Sequence, residues 1–347
     1  MIPVFDGHND ALTRKTHARL ATGRDDGHLD LPRMRAGGMR GGIFALFTSS
    51  PGEETHSMVF GSIDDAPDGI LSEPLAGPVS YEAASSHALT VAGRLFALER
   101  AGEMTVARRV ADLDAALAED APPVAVLHLE GAEAIDPGLE SLPAWYAMGL
   151  RSLGPVWSRA NDFATGVQFV MPSSPDIGPG LTDAGVALVK TCAELGILVD
   201  LSHLNEKGFW DVAKLEAGPL VASHSGAHAV AAASRNLTDA QLDAIGASGG
   251  LVGIVYATAF IRKDFADDAD TPLSTIAEHA RYVADRIGVE HVGLGSDFDG
   301  ATIPASLEGV AGLPKLLDAL REAGFTDPEV EQIAWQNWRR VLDAWWR

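Results

Sequence analysis

The sequence predicts an α/β fold, a (β/α)8 TIM barrel, on three observations. Eight short, apolar, β-branched runs recur along the chain, stretches of helical periodicity separate them, and histidines and carboxylates with no packing role fall at the ends of those runs. Continuous apolar runs suit parallel strands buried on both faces, and strict alternation with helices is what a barrel of βα units requires.

The strands are expected at Ile2–Asp6, Gly42–Phe47, Val124–Leu129, Leu150–Val156, Ile197–Leu201, Pro219–Ala222, Leu251–Tyr256 and His291–Gly295. Helices are expected at Tyr81–Ala101, Val106–Ala118, Leu139–Met148, Leu181–Leu195, Lys207–Leu215, Asp239–Ala247, Leu273–Ile287, Leu313–Ala323 and Pro328–Trp346. Residues 50–79, rich in Pro, Gly, Ser and Asp, read as a loop insertion after the second strand, at the end where a barrel carries its site. No repeat or linker divides the 347 residues, so one domain over 1–347 is expected. A doubly wound sheet would want a Gly-rich turn after its first strand, and Asp6-Gly7-His8-Asn9-Asp10 is not one. In the last helix Trp335, Trp338, Leu342 and Trp345 share one face at spacings of three and four. That face reads first as packing on the barrel wall and second as the contact of a homodimer.

Composition removes several function classes. With 26 Lys and Arg against 48 Asp and Glu, a net charge of −22 and no basic run, the chain is not expected to bind nucleic acid. No basic leader precedes an apolar stretch and nowhere do about 18 apolar residues run together, so a cytoplasmic protein with no membrane partner is expected. Cys192 is the single cysteine and lies within a helix, so any metal must rest on oxygen and nitrogen ligands.

The strand ends carry such ligands. His8 and Asp10 stand two apart after the first strand, and side chains two apart on extended backbone point the same way. Glu130 ends the third strand, His203 the fifth, His224 the sixth and Asp297 the eighth, which neighbours the first. Singly, each has a bland reading as a core histidine or loop acid. Three histidines and three carboxylates at one rim exceed what one zinc needs and suit two metals about 3.5 Å apart, bridged by a carboxylate and hydroxide. Such a centre hydrolyses an amide or ester. Serine-triad chemistry is a poor competitor, because the Gly-x-Ser-x-Gly match at Gly246–Gly250 leads from an expected helix into an expected strand, the reverse of a strand-to-helix nucleophile elbow. His228, Asp6, Asp299 and His128 read as loop, supporting or barrel-interior residues, while Tyr256, closing strand seven, faces the same mouth.

Six colinear segments carry a family resemblance: DGHND at 6–10, HLDLPRMRAGGMRGGIFALF at 28–47, HLEGAE at 128–133, DLSHLNEKGFWDV at 200–212, ASHSGAHAVAAASRNLTDAQL at 222–242 and HVGLGSDFDG at 291–300. They resemble the membrane (renal) dipeptidase family of zinc metallopeptidases, specifically its soluble bacterial branch. The resemblance implies an amidohydrolase-type barrel that cleaves small dipeptides. It also implies two zinc ions, one on His8 and Asp10 and the other on His203 and His224, bridged by Glu130 and a water or hydroxide. Asp297 would then be the acid/base, and Arg235 would grip the C-terminal carboxylate of the substrate, a task suited to a guanidinium fork. Both ions and Arg235 must make the mouth locally positive in an otherwise acidic protein.

One departure stands out. Where the family often carries a substrate-facing histidine, this chain reads Arg151-Ser-Leu-Gly-Pro-Val-Trp157-Ser-Arg159. The Trp157 indole donates one hydrogen bond but accepts no proton, and Arg159, two residues on, reads either as a replacement cationic donor or as a solvated residue of the rim. This change motivates a second reading, in which the substrates are N-acyl amino acids, other small amides or lactones. A metal-poor binding protein on a degenerate barrel is the third, and no ligand position is missing to support it.

Overall fold

The structure, a computed structural model, describes residues 1–50, 63, 66, 69–73 and 76–346. Most of the expected insertion at 50–79 lies outside the described residues. Its described end pairs Leu71–Ser72 antiparallel with Val170–Met171, in the loop that follows the fourth barrel strand.

Eight parallel strands form the barrel: β1 Val4–Asn9, β2 Met39–Phe47, β3 Val124–Glu130, β4 Leu150–Gly154, β5 Leu198–Val199, β6 Val221–Ser225, β7 Leu251–Ile254 and β8 Val292–Leu294. They neighbour one another in chain order, with β8 returning to β1 through Asp6 opposite Leu294. Between β5 and β6 the only link of strand type is the bridge from Asp200 to Val221, which nearly closes the ring. A further strand, Thr105–Val106, lies parallel against β3.

The shifts from the expected strand limits have local causes. Proline has no N–H for a ladder, so β1 starts after Pro3, β4 ends before Pro155 and β6 starts after Pro219. Beyond β5 pairing continues through the Asp200 N–H to Leu153 and the Leu201 N–H to Val221, at 2.9 and 2.8 Å, and stops at Ser202, whose N–H turns to Asp200 Oδ1 at 3.0 Å. The register slips between Asp6 and Asn9 in β1 and around His224 in β6. Bulges of this kind re-aim side chains beside active sites, and each here carries a histidine of the mouth. Two expected helices also change: residues 106–118 divide into the Thr105–Val106 strand and helix Val110–Ala115, and a π turn at Gln332–Gln336 interrupts the last helix.

That last helix closes the other end of the barrel. Trp335, Trp338, Leu342 and Trp345 are all buried within the chain. The Trp338 indole donates to the Leu294 carbonyl at 2.9 Å, and a Cβ on Gly7 or Gly293 would stand 2.3 or 2.7 Å from its ring, so glycine is required at both positions. The aromatic face is therefore packed on the barrel, its first reading. No helix among the described residues is long and apolar enough to cross a membrane.

Candidate metal centre

The residues expected at the mouth converge. Glu130, at the end of β3, aims Oε1 at His203 Nε2, 3.1 Å away, and at His224 Nε2, 3.7 Å away. Its Oε2 lies 3.5 Å from His8 Nε2, which is also 3.5 Å from Asp10 Oδ2. Asp297 stands with His8 and Asp10 in a second donor group, the first being Glu130, His203 and His224. His8 and His224, whose rings stack at 3.9 Å, also form a third donor group with Asp200, so the ligands make one continuous cluster with a Glu130 oxygen turned to each side.

The spacing fits zinc. A tetrahedral ion with bonds of about 2.0–2.1 Å holds its donors about 3.3 Å apart, and the separations above scatter around that value. His203 Nε2 and His224 Nε2 face each other at 3.0 Å, and both ring nitrogens of buried His8 make no hydrogen bond. Buried polar atoms arranged so are ordinarily satisfied, and a cation would satisfy them together.

Electrostatics agree. Burial opposes charge on His8, yet the carboxylates of Glu130 and Asp10 outweigh it and hold its pKa well above the usual imidazole range. Charges that favour a proton there equally favour a metal. Burial, with the Arg235 cation adding to it, lowers His203 to about 3. Burial likewise leads the shift of His224 to well below its ordinary value, so both rings are neutral and ligand-ready. Glu130 is held well below the usual carboxylate range because His8 and His203 overcome its burial. Asp297 behaves oppositely: burial first, then the Asp10 and Glu130 charges, push it to about 7. Its φ of 60° and that of His203, 66°, are left-handed conformations that L-residues keep where the surroundings enforce them. A Cβ on neighbouring Gly300 would come within 2.3 Å of Asp297 Oδ1 and 2.4 Å of Asp10 Oδ2, so this turn too needs glycine.

Arg235 reaches the same cluster, with Nη2 3.2 Å from His203 Nε2 and 3.1 Å from the His224 carbonyl, while its buried Nε makes no hydrogen bond. Trp157 is half-buried between Phe47 and Phe169, its ring 5.8 Å from that of His203. Tyr256 is fully buried with no hydrogen bond to its hydroxyl, and burial raises its pKa well above the ordinary value. Arg159 departs from expectation. Its guanidinium donates to Glu133 at 2.7 Å, Ser50 at 3.1 Å and the Thr48 carbonyl at 2.6 Å, and the residue is fully buried. It ties the loops after β2, β3 and β4 together, which corrects its reading as a substrate donor.

The supporting residues also fall into place. Asp6 accepts from Ser296 N and Oγ at 2.7 and 3.0 Å, joining β1 to the end of β8. Asp299 receives the Arg24 guanidinium and the His28 N–H, and His228 bonds the Ser173 carbonyl in a loop. Beside the cluster, Arg14, His28, Asp299, Gly300, Thr302 and Glu308 line part of a cavity of about 400 Å³. Three residues that hold the ligands were not singled out from sequence: Ser158, whose Oγ lies 2.8 Å from His203 Nδ1, and the Asp200–Ser223 pair behind His224. For the pair the signal was the aspartate or serine near each ligand in Asp200-Leu-Ser-His203 and Ser223-His224, whereas Ser158, 45 residues from His203, had none.

Neutral imidazoles and carboxylates gathered at ligand spacing in a barrel mouth define a metal-dependent hydrolase of the amidohydrolase barrel type. Sequence comparison narrows the class: the chain belongs to the membrane dipeptidase family, peptidase family M19, whose model matches residues 1–345. It is therefore a metallopeptidase. A solved dipeptidase AC, described as an M19 metallopeptidase, is 44% identical, with 99% of each chain covered and a TM-score of 0.91. A metallopeptidase from Rhodobacter sphaeroides, solved with a phosphinate mimic of the dipeptide L-Ala-D-Ala, is 45% identical over 99% of each chain at a TM-score of 0.92. An uncharacterized Klebsiella pneumoniae protein from the pqqA 5' region is 47% identical over 71% of this chain and 91% of its own length.

Proposed function

We propose that this chain hydrolyses the peptide bond of L-Xaa-L-Xaa and L-Xaa-D-Xaa dipeptides, with His8, Asp10, His203 and His224 as the residues that would hold two zinc ions and Glu130 placed to serve both. The observation that carries this reading is the division of the Glu130 oxygens between the His8–Asp10 side and the His203–His224 side. The dipeptide mimic held by the Rhodobacter sphaeroides neighbour supports the substrate class and a D-residue at its C-terminal position. When bound, the zinc ions would polarise the scissile carbonyl and make water acidic enough to attack near neutral pH.

The chain's own residues supply the rest. Asp297, poised near neutrality, takes the proton from the attacking water and returns it to the departing nitrogen. Arg235, beside His203, fixes the C-terminal carboxylate through a charge-assisted fork. Trp157 walls the mouth next to His203 with an apolar ring, and Tyr256 offers its unpartnered hydroxyl from the end of β7.

A panel of L,L- and L,D-dipeptides beside the matching N-acyl amino acids, small amides and lactones tests the assignment. Dipeptides are expected to turn over fastest, and higher rates on the other classes would favour the reading motivated by Trp157. On the best dipeptide, Arg235→Met should raise KM by about 10–100-fold with a smaller change in kcat, the worth of a charged hydrogen bond. A dipeptide amide, lacking the carboxylate, should be a poor substrate for wild type and lose little more in the variant. Equal losses on acid and amide would remove Arg235 from that role.

A further inference from the structure

Behind His224 lies a short relay that none of the catalytic assignments uses. Asp200 Oδ1 accepts two backbone N–H groups, from Ser202 at 3.0 Å and Ser223 at 2.8 Å. Its other oxygen, Oδ2, receives the Ser223 hydroxyl at 2.5 Å. Ser223 Oγ in turn lies 2.8 Å from His224 Nδ1. All three residues are buried, and Ser223 and His224 have no solvent exposure at all.

A serine hydroxyl has one proton to give. An ionised carboxylate only accepts, so that proton goes to Asp200 and the remaining contact must be donated by the histidine. His224 then carries its proton on Nδ1 and keeps its Nε2 lone pair on the side where Glu130 Oε1 and His203 Nε2 stand, an arrangement of acceptors that a cation completes. We infer that Asp200 and Ser223 are positioning residues that lock His224 in its metal-binding tautomer. The inference rests on the zinc reading for its consequence, but the lock itself is a property of the protein alone.

Asp200→Asn has a defined failure in this geometry. The two backbone donors pin the amide oxygen at the Oδ1 position, which leaves the NH2 facing Ser223 Oγ. Ser223 must then send its proton elsewhere. His224 Nδ1 at 2.8 Å is nearer than Ser202 Oγ at 3.3 Å, so the ring is driven to the opposite tautomer with Nε2–H pointing at the ligand site. A second substitution, Ser223→Ala, removes the messenger and frees the ring. The substitutions therefore combine non-additively: the double variant should bind zinc better than Asp200→Asn alone.

The test is zinc affinity by chelator competition in wild type, Asp200→Asn, Ser223→Ala and the double variant. Histidine 15N NMR of the metal-free proteins accompanies it, with the His224 signals identified by their loss in His224→Gln. Expected are affinity losses of about 100-fold for Asp200→Asn and about tenfold for Ser223→Ala, the range of ligand-orienting contacts, with the double variant matching Ser223→Ala. The His224 ring should be Nδ1–H in wild type, Nε2–H in Asp200→Asn and mixed in Ser223→Ala. A double variant as weak as Asp200→Asn would reduce Asp200 to a simple charge effect and overturn the lock. A wild-type ring already protonated on Nε2 would overturn it as well. If Asp200→Asn does not fold, the Ser223→Ala spectrum decides alone: a ring that stays wholly Nδ1–H shows that the serine orients nothing. Absence of zinc binding in wild type would fail the metal reading, while the NMR result would still judge the lock.

Discussion

Asp297→Asn should lower kcat for dipeptide hydrolysis by about 10²–10⁴-fold, the contribution of a positioned acid/base, with zinc content unchanged. The side chain sits at the end of β8 beside His8 and Asp10, where burial and two neighbouring carboxylates raise it to about 7. A carboxyl so tuned both accepts and returns a proton near neutral pH, whereas an amide of the same shape does neither. Loss of zinc in the variant would make Asp297 a ligand instead, and retention of a tenth of the activity would end its acid/base assignment. The same shift has a consequence for stability. Because the folded state raises this carboxyl from an ordinary value of about 4 to about 7, the native protein holds its proton more tightly than the unfolded chain does. Its ionisation therefore costs stability progressively as pH rises from about 4 through about 7. In chelator-treated protein the Asn variant should melt above wild type at pH 8, and the difference should close below pH 4.

Glu130→Gln should be the more damaging substitution. Glu130 turns one oxygen to His8 and the other to His203 and His224, and its charge lies at the end of a β3 strand buried on both sides. An amide keeps the shape but removes the negative charge and presents N–H donors where lone pairs are needed. Both zinc affinities should fall together. Loss of the several kcal/mol that metal polarisation gives the transition state corresponds to about 10³-fold or more in turnover. Metal analysis and dipeptide assay on the same preparation check this, and a variant that lost a single ion and kept most of its activity would refute the bridging role.

Much of the fold was legible because its signals are local. Eight apolar runs became eight barrel strands, since a strand covered on both faces has to be apolar throughout. Strand limits were misplaced where prolines withheld an N–H and where bulges carried β1 through His8 and β6 through His224. The mouth was legible from strand-end chemistry, which brought His8, Asp10, Glu130, His203, His224 and Asp297 together in one list, as the structure brings them together in space. What was hidden depends on contacts between distant segments. Nothing near Arg159 announces Glu133 and the Thr48 carbonyl as its partners, so a buried tie between loops passed for a donor in the mouth. Nothing near Ser223 says that its proton belongs to Asp200, a residue of the neighbouring strand end.

Two zinc ions sharing Glu130 in a dipeptidase should be visible when chelator-treated protein is titrated with zinc while hydrolysis of an L,D-dipeptide is followed. Activity should rise to a plateau at two equivalents per chain. A plateau at one equivalent, or full hydrolysis without added metal, would contradict it.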